Sequence, residues 1–167
     1  MNIIDGSRIN KGDMLLGVNS SGLHTNGYSL ARKVLLDKIK ISSFLEDLGC
    51  TLGEELLKVH LSYLSLIQDA VRQCKINGIA HITGGGIAGN TNRLLKRNKL
   101  KIDWQSWERP PIFQIIQKTG NVPEADMRKT FNLGIGLIFI IHSNSADKLA
   151  NIIKNHQYKY WFIGEVV

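Results

Sequence analysis

Met14-Leu-Leu-Gly-Val-Asn-Ser-Ser-Gly-Leu-His-Thr-Asn-Gly-Tyr28 carries three patterns in succession, and the fold class is read outward from it. Met14–Asn19 is a short apolar run between turn residues, which reads as a buried strand. Ser20–Gly27 is polar and holds two glycines, which reads as a loop. A helix should follow from Tyr28 to Asp37, with Leu30, Val34 and Leu35 on its buried face. Strand, glycine loop and helix in that order are the units from which α/β domains are built.

The same alternation continues downstream. Residues 38–52 show no decisive pattern. From Glu54 to Gln73 apolar residues recur at Leu57, Leu61, Leu64, Ile67 and Val71, a spacing that predicts one amphipathic helix. Gly78–Thr83 reads as a strand that runs into Gly84-Gly85-Gly86, with a helix over Ile87–Lys96 and a strand near Leu100–Asp103. Pro110-Pro111 opens a helix through Phe113 and Ile116, since proline is tolerated in a first helical turn. A short helix over Glu124–Thr130 precedes Gly134-Ile-Gly136, and Leu137–His142 is a strand. Ala146–Lys154 reads as a helix and Tyr158–Val167 as the last strand. Without repeats or a proline-rich linker, residues 1–167 are expected to form one domain: an α/β sandwich with a mixed sheet flanked by helices.

Composition narrows the class. The chain has 167 residues, 43% of them hydrophobic. A chain of this length buries roughly 70% of its unfolded surface and needs no disulfide or metal to fold. Cys50 and Cys74 lie far apart, outside any Cys-x-x-Cys pattern, and read as reduced thiols. The first residues lack a signal-peptide core, and no apolar run approaches the ~20 residues of a membrane span. A cytoplasmic protein with no membrane partner is expected. The net charge is +7, but its lysines and arginines are scattered. Their densest cluster, Lys96-Arg97-Asn98-Lys99-Leu100-Lys101, has no interleaved aromatics on which bases could stack. This points away from nucleic acid and toward a solvated basic face; a phosphate-bearing substrate would also suit the positive field.

Three segments could carry chemistry. In the first, Ser20, Ser21, Gly22, His24, Thr25, Asn26 and Gly27 sit between a strand and a helix start. Such a loop can aim backbone N–H groups and hydroxyls at an anion, while His24 and Asn26 can read a small polar ligand. The plainer reading is that Ser21 and Asn26 cap the helix and shape a turn. The second segment is His81-Ile-Thr83-Gly84-Gly85-Gly86, again a strand entering glycine, and it lacks the Lys-Ser/Thr of a nucleotide-binding P-loop. Two such loops at strand ends could line one crevice, or each could be a tight crossover with His81 packed inside. The third is Thr130-Phe-Asn132-Leu-Gly-Ile-Gly136, whose alternating glycines predict close backbone packing or a β-bulge. His60, His142 and His156 have no acidic or histidine neighbours at ligand spacing, so no metal site is expected. Glu46-Asp47 and Glu54-Glu55 read as surface and helix-start charges.

Taken in order, these segments resemble the C-terminal half of the phosphoribosylformylglycinamidine cyclo-ligase family, the aminoimidazole ribonucleotide synthetases. The resemblance runs from Ile3-Ile-Asp-Gly-Ser-Arg8 through Ser20–Leu30, His81–Gly86, Asn90 and Arg93. It continues through Ser106-Trp107, Pro110–Phe113, Gly120–Val122, Met127 and Thr130–Gly136 to Ile163–Val166. It implies a catalytic role for His24. It also implies ribonucleotide contacts from Ser20, Ser21, Gly22, Thr25, Asn26, Gly27, Thr83, Gly84, Gly85, Gly86 and Asn132. The implied reaction is ATP-dependent ring closure of formylglycinamidine ribonucleotide to aminoimidazole ribonucleotide. ATP and Mg²⁺ would then be held mostly by an N-terminal half outside these residues, with no tight cofactor site in this chain. The complete protein would be a homodimer. This chain alone should show no turnover and should expose an apolar surface.

The sequence departs from the family at Val59-His-Leu-Ser-Tyr63, where a Pro-Thr-Arg-Ile-Tyr-like stretch is usual, and at Gly89 and Asn92. The alternatives are a domain of a superfamily relative, such as selenophosphate synthetase, thiamine-phosphate kinase or formylglycinamidine ribonucleotide synthetase, or a basic binding module without activity.

Overall fold

The structure is a computed structural model that describes residues 3–96 and 98–167. Arg97 of the basic cluster lies outside the described residues. The chain runs β1 (Met14–Asn19), α1 (Tyr28–Leu35), β2 (Phe44–Leu45), β3 (Cys50–Thr51), α2 (Leu52–Leu56) and α3 (Leu64–Gln73). It continues with β4 (Ile76–His81), α4 (Gly86–Asn92), β5 (Leu100–Ile102), α5 (Pro111–Gly120) and α6 (Glu124–Thr130). The last elements are β6 (Ile135–Ile141), α7 (Ala146–Asn155) and β7 (Tyr160–Val166). Among the described residues no helix is long and apolar enough to cross a membrane.

Five strands form one sheet in the order β4-β6-β1-β7-β5, and every pairing in it is antiparallel. The α/β class and the helix-flanked sheet match the expectation; the mixed strand directions do not. The reason lies in the crossovers. β1 and β4 run parallel with helices between them in sequence, but β6 is inserted between them in the sheet. β6 and β7 likewise run parallel through α7, with β1 inserted. These are split β-α-β units, so strand–helix alternation survives while neighbouring strands oppose one another.

Period-2 alternation places Leu16, Val18, Leu137, Phe139 and Ile141 on one face, against Leu66 and Ala70 of α3 and Leu149, Ile152 and Ile153 of α7. Leu15, Ile138, Ile140 and Ile163 line the opposite face with Ile87 of α4 and Trp107. β6 is buried along its whole length because both faces are covered. A separate cluster beyond the sheet end packs Ala31 and Leu35 of α1 against Ile112, Phe113 and Ile116 of α5, with Met127 and Phe131.

Several expected elements are corrected. The helix expected over Glu54–Gln73 is two helices, α2 and α3, joined by an irregular segment over 57–63. The apolar stripe assigned to it faces largely outward: Leu57 is 82% exposed and Leu64 64%. Side-chain bonds tie the segment to β1 and to the loop after it, in place of helical packing. The Tyr63 hydroxyl donates to Asn19 O at 2.6 Å, and the Ser21 hydroxyl donates to Val59 O at 2.7 Å. Helical spacing cannot register such long-range bonds. α1 buries Ala31 and Leu35 fully, with Leu30 and Val34 half-buried against the same cluster, and α4 stops at Asn92 instead of Lys96. Residues 44–51 form a two-stranded hairpin.

Candidate functional site

Because β6 opposes β1 and β4, the C-terminal ends of β1 and β4 and the N-terminal end of β6 meet at one end of the sheet. Each of the three glycine segments therefore arrives at the same place.

The loop after β1 is braced from within. Asn132 is buried; its amide donates to Gly22 O at 2.8 Å, and its oxygen accepts from the Ser20 hydroxyl at 3.0 Å and from Gly134 N–H at 2.8 Å. Ser20 also reaches Gly22 O at 3.1 Å. The polar groups of Ser20 and Asn132 are thus engaged inside the protein, and their expected ligand contacts become internal bonds. His24 is only 2% exposed, and its Nε2 accepts Ser21 N–H at 2.9 Å and Leu61 N–H at 3.4 Å. That fixes the ring proton on Nδ1, which has no partner among the described residues. Burial first, then the imidazoles of His60 and His81, hold its pKa down at about 3, so the ring stays neutral. His24 and Thr25 both take left-handed backbone angles, φ 53° and 60°, a conformation uncommon outside glycine. His24 fills buried space as well as making hydrogen bonds.

The ring fits only because its neighbour is glycine. A β-carbon on Gly136 would stand 2.0 Å from the Tyr63 hydroxyl and 3.0 Å from His24 Nδ1. The register also slips here: Val18 faces Leu137 and Asn19 faces Ile135, leaving Gly136 as the extra residue of a bulge. Both readings of the alternating glycines hold.

Helix capping does not account for Ser21 and Asn26, because the N-cap of α1 is Gly27 without a side-chain bond. Asn26 instead joins the two loops, accepting Gly84 N–H at 3.0 Å and donating to His24 O at 2.7 Å. The second loop is held by Asn90, whose amide donates to Gly86 O at 2.8 Å and Thr83 O at 3.2 Å, while its oxygen accepts from the Thr83 hydroxyl at 3.1 Å. Gly84 and Gly85 stay exposed. Beside them opens a cleft of about 740 Å³, walled by Gly27, Lys33, Lys129, Thr130 and the turn at Asn121–Pro123. Gly27, Gly84 and Gly85 are the expected site residues that reach it. Lys33, Lys129 and Asn121 also line it; two of them are scattered surface lysines whose convergence only the fold reveals.

The segment 57–63 brings a third histidine. The His60 ring stacks on His24 with centroids 3.9 Å apart, and its Nε2 lies 3.0 Å from His81 Nε2. One ligand atom from each of His24, His60 and His81 falls within 4.8 Å of the others. The reading of His60 as having no histidine neighbour is therefore corrected: sequence spacing cannot see a contact across 21 residues of chain. His81 is exposed and is not packed inside.

Residues 10–167 match the family described as AIR synthase related protein, C-terminal domain. The chain is 46% identical over 166 residues to a phosphoribosylformylglycinamidine cyclo-ligase of Thermodesulfovibrio yellowstonii, covering 98% of this chain and 48% of that protein. It is 43% identical to the cyclo-ligase of Carboxydothermus hydrogenoformans, again covering 98% and 48%. The chain thus spans about half the length of the curated relatives it matches. In fold it is similar to the hydrogenase maturation protein HypE of E. coli, with TM-score 0.64 at 17% identity, over 97% of this chain and 46% of that one. A thiamine-monophosphate kinase from Stenotrophomonas maltophilia gives TM-score 0.64 at 13% identity, over 97% and 49%. The match of sequence along nearly the whole chain, on a fold shared with these more distant proteins, leads to one assignment: this chain belongs to the AIR synthase related protein C-terminal domain family.

Proposed function

We propose that this chain is the ribonucleotide-holding half of an ATP-dependent cyclo-ligase that converts formylglycinamidine ribonucleotide to aminoimidazole ribonucleotide. One observation carries the reading: two glycine-bearing loops, joined by Asn26 and Gly84, border a cleft that also presents Lys33 and Lys129. Lysine ammonium groups and close backbone approach at glycine suit a phosphorylated ribonucleotide. The relatives named above supply the reaction class.

In that reaction ATP phosphorylates the formyl oxygen, an amidine nitrogen attacks the same carbon, and the oxygen leaves with phosphate as the ring closes. The work of this chain is to hold the ribonucleotide so that nitrogen and carbon stay in near-attack geometry. Asn26 sets the distance between the loops, and His24 acts as a positioning residue that fixes Ser21 and Leu61 through Nε2. Magnesium and the nucleotide belong to the other half. Hard cations need several oxygen ligands, and Asp126 is the sole carboxylate on this cleft among the described residues. That N-terminal half is the partner we assign, in a homodimer of the complete protein in the cytoplasm, where Cys50 and Cys74 stay reduced. Leu57 and Val59, 82% and 84% exposed, are surface that it would cover.

The test combines the 167-residue chain with the separately produced N-terminal half of the Thermodesulfovibrio yellowstonii cyclo-ligase. Substrate-dependent ADP release should appear in the mixture and in neither half alone. Stable association without any turnover would count against the reading, as would turnover by this chain by itself.

A further inference from the structure

We propose that His60 and His81 form a binding site for a divalent late transition-metal ion beside the loop over 20–27, with one Nε2 from each as its protein ligands. The proposal does not depend on the cyclo-ligase reading.

The geometry already suits an ion. The two Nε2 atoms are 3.0 Å apart, on rings tilted by 49° with centroids 5.1 Å apart. Two imidazole nitrogens on one ion at ~2.0–2.1 Å, in adjacent positions, are themselves separated by ~2.9–3.4 Å. The rings come from different elements, His60 from the 57–63 segment and His81 from the end of β4, so the fold makes this pair and local sequence does not.

The surroundings of the pair fit as well. Histidine–carboxylate pairing occurs among the described residues at His156 with Asp69, not at His60 or His81. The Thr25 hydroxyl lies 3.5 Å from His60 Nδ1, beside the nitrogen that must keep its proton when Nε2 binds.

His24 backs this pair without joining it. Its ring is stacked on His60 at 20°, so the two lone pairs lie in separate, near-parallel planes and do not meet at one ion. Its Nε2 is also occupied by Ser21 N–H. The remaining coordination positions open on the exposed side of His81, where water or a ligand oxygen can fill them. Nitrogen ligands select zinc, nickel or copper over magnesium and calcium. A bound ion would tie the 57–63 segment to β4, and binding to the folded state alone raises the melting temperature.

The test is titration of the 167-residue chain with Zn²⁺ and Ni²⁺ by calorimetry, and with Ni²⁺ by NMR of the imidazole protons. One saturable site per chain is expected, with paramagnetic broadening centred on His60 and His81 and a rise in melting temperature. His60→Asn and His81→Asn should each weaken binding by at least ~10-fold, the scale seen when groups supporting a metal site are lost. His142→Ala should leave it unchanged. If His60→Asn fails to fold, the exposed His81→Asn and the NMR of the unsubstituted chain still decide. Absence of a saturable site would overturn the proposal; so would broadening centred on His142 or His156, or unchanged affinity in His81→Asn.

Discussion

The two loops at the sheet end look alike in sequence and are built differently. The loop over 20–27 is filled with its own hydrogen bonds: Asn132, Ser20 and His24 are buried, and each satisfies backbone groups of the chain. The loop over 83–86 is held by two asparagines, Asn90 and Asn26, and leaves Gly84 and Gly85 exposed. A hydroxyl, an imidazole and a carboxamide near a glycine therefore do not by themselves mark a ligand surface. The first loop spends Ser20, His24 and Asn26 on internal bonds, and the second exposes Gly84 and Gly85 on a cleft that Lys33 and Lys129 also line.

The largest effect is expected where the second loop meets α6. A β-carbon on Gly86 would lie 1.9 Å from the carbonyl oxygen of Arg128, and its φ of 65° is left-handed. Backbone cannot swing aside as a side chain can, so Gly86→Ala should cost about 3 kcal/mol or more, read from the urea midpoint. A cost below ~1 kcal/mol would mean that the loop floats free of α6, and the contrast would lose its anchor.

Next comes pH. The folded pKa of His24 lies at about 3, below the ordinary value of 6.5. An unfolded chain therefore binds a proton that the folded one refuses, and stability is present above pH ~6.5 and lost as pH falls toward 3. The loss should amount to a few kcal/mol by pH 4, read as a falling melting temperature. His24→Gln should lower the temperature at pH 7 and flatten that slope. An unchanged slope would show that the imidazole titrates freely and is not held by the internal bonds of its loop.

A smaller effect separates the two asparagines. Asn132→Ala strips partners from three buried groups and should cost about 2–3 kcal/mol. Asn90→Ala unpairs one buried carbonyl, Gly86 O, while Thr83 O and its hydroxyl are half-buried beside exposed Gly84, and should cost about 1–2 kcal/mol. Equal costs would erase the distinction between the two loops.

Much of this was legible beforehand. Met14–Asn19 and Glu124–Thr130 coincide with their predicted spans because a buried strand and a short helix behind Pro123 depend on local pattern. The helix break over 57–63 was hidden, because nothing within that stretch forbids helix. What ties it down are the hydroxyls of Ser21 and Tyr63, distant in sequence or aimed at distant carbonyls. The site divides the same way. Gly84 and Gly85 were readable from glycine between strand and helix, whereas Lys33, Lys129 and the pairing of His60 with His81 exist only after folding.

The most direct test of this account of the two loops is ribonucleotide titration of the isotope-labelled chain, held in complex with the N-terminal half, followed by NMR. The account predicts that formylglycinamidine ribonucleotide shifts the amides of Gly84 and Gly85 and the side chains of Lys33 and Lys129, while the Asn132 carboxamide stays fixed. Large shifts at Asn132 with Gly84 and Gly85 unmoved would contradict it.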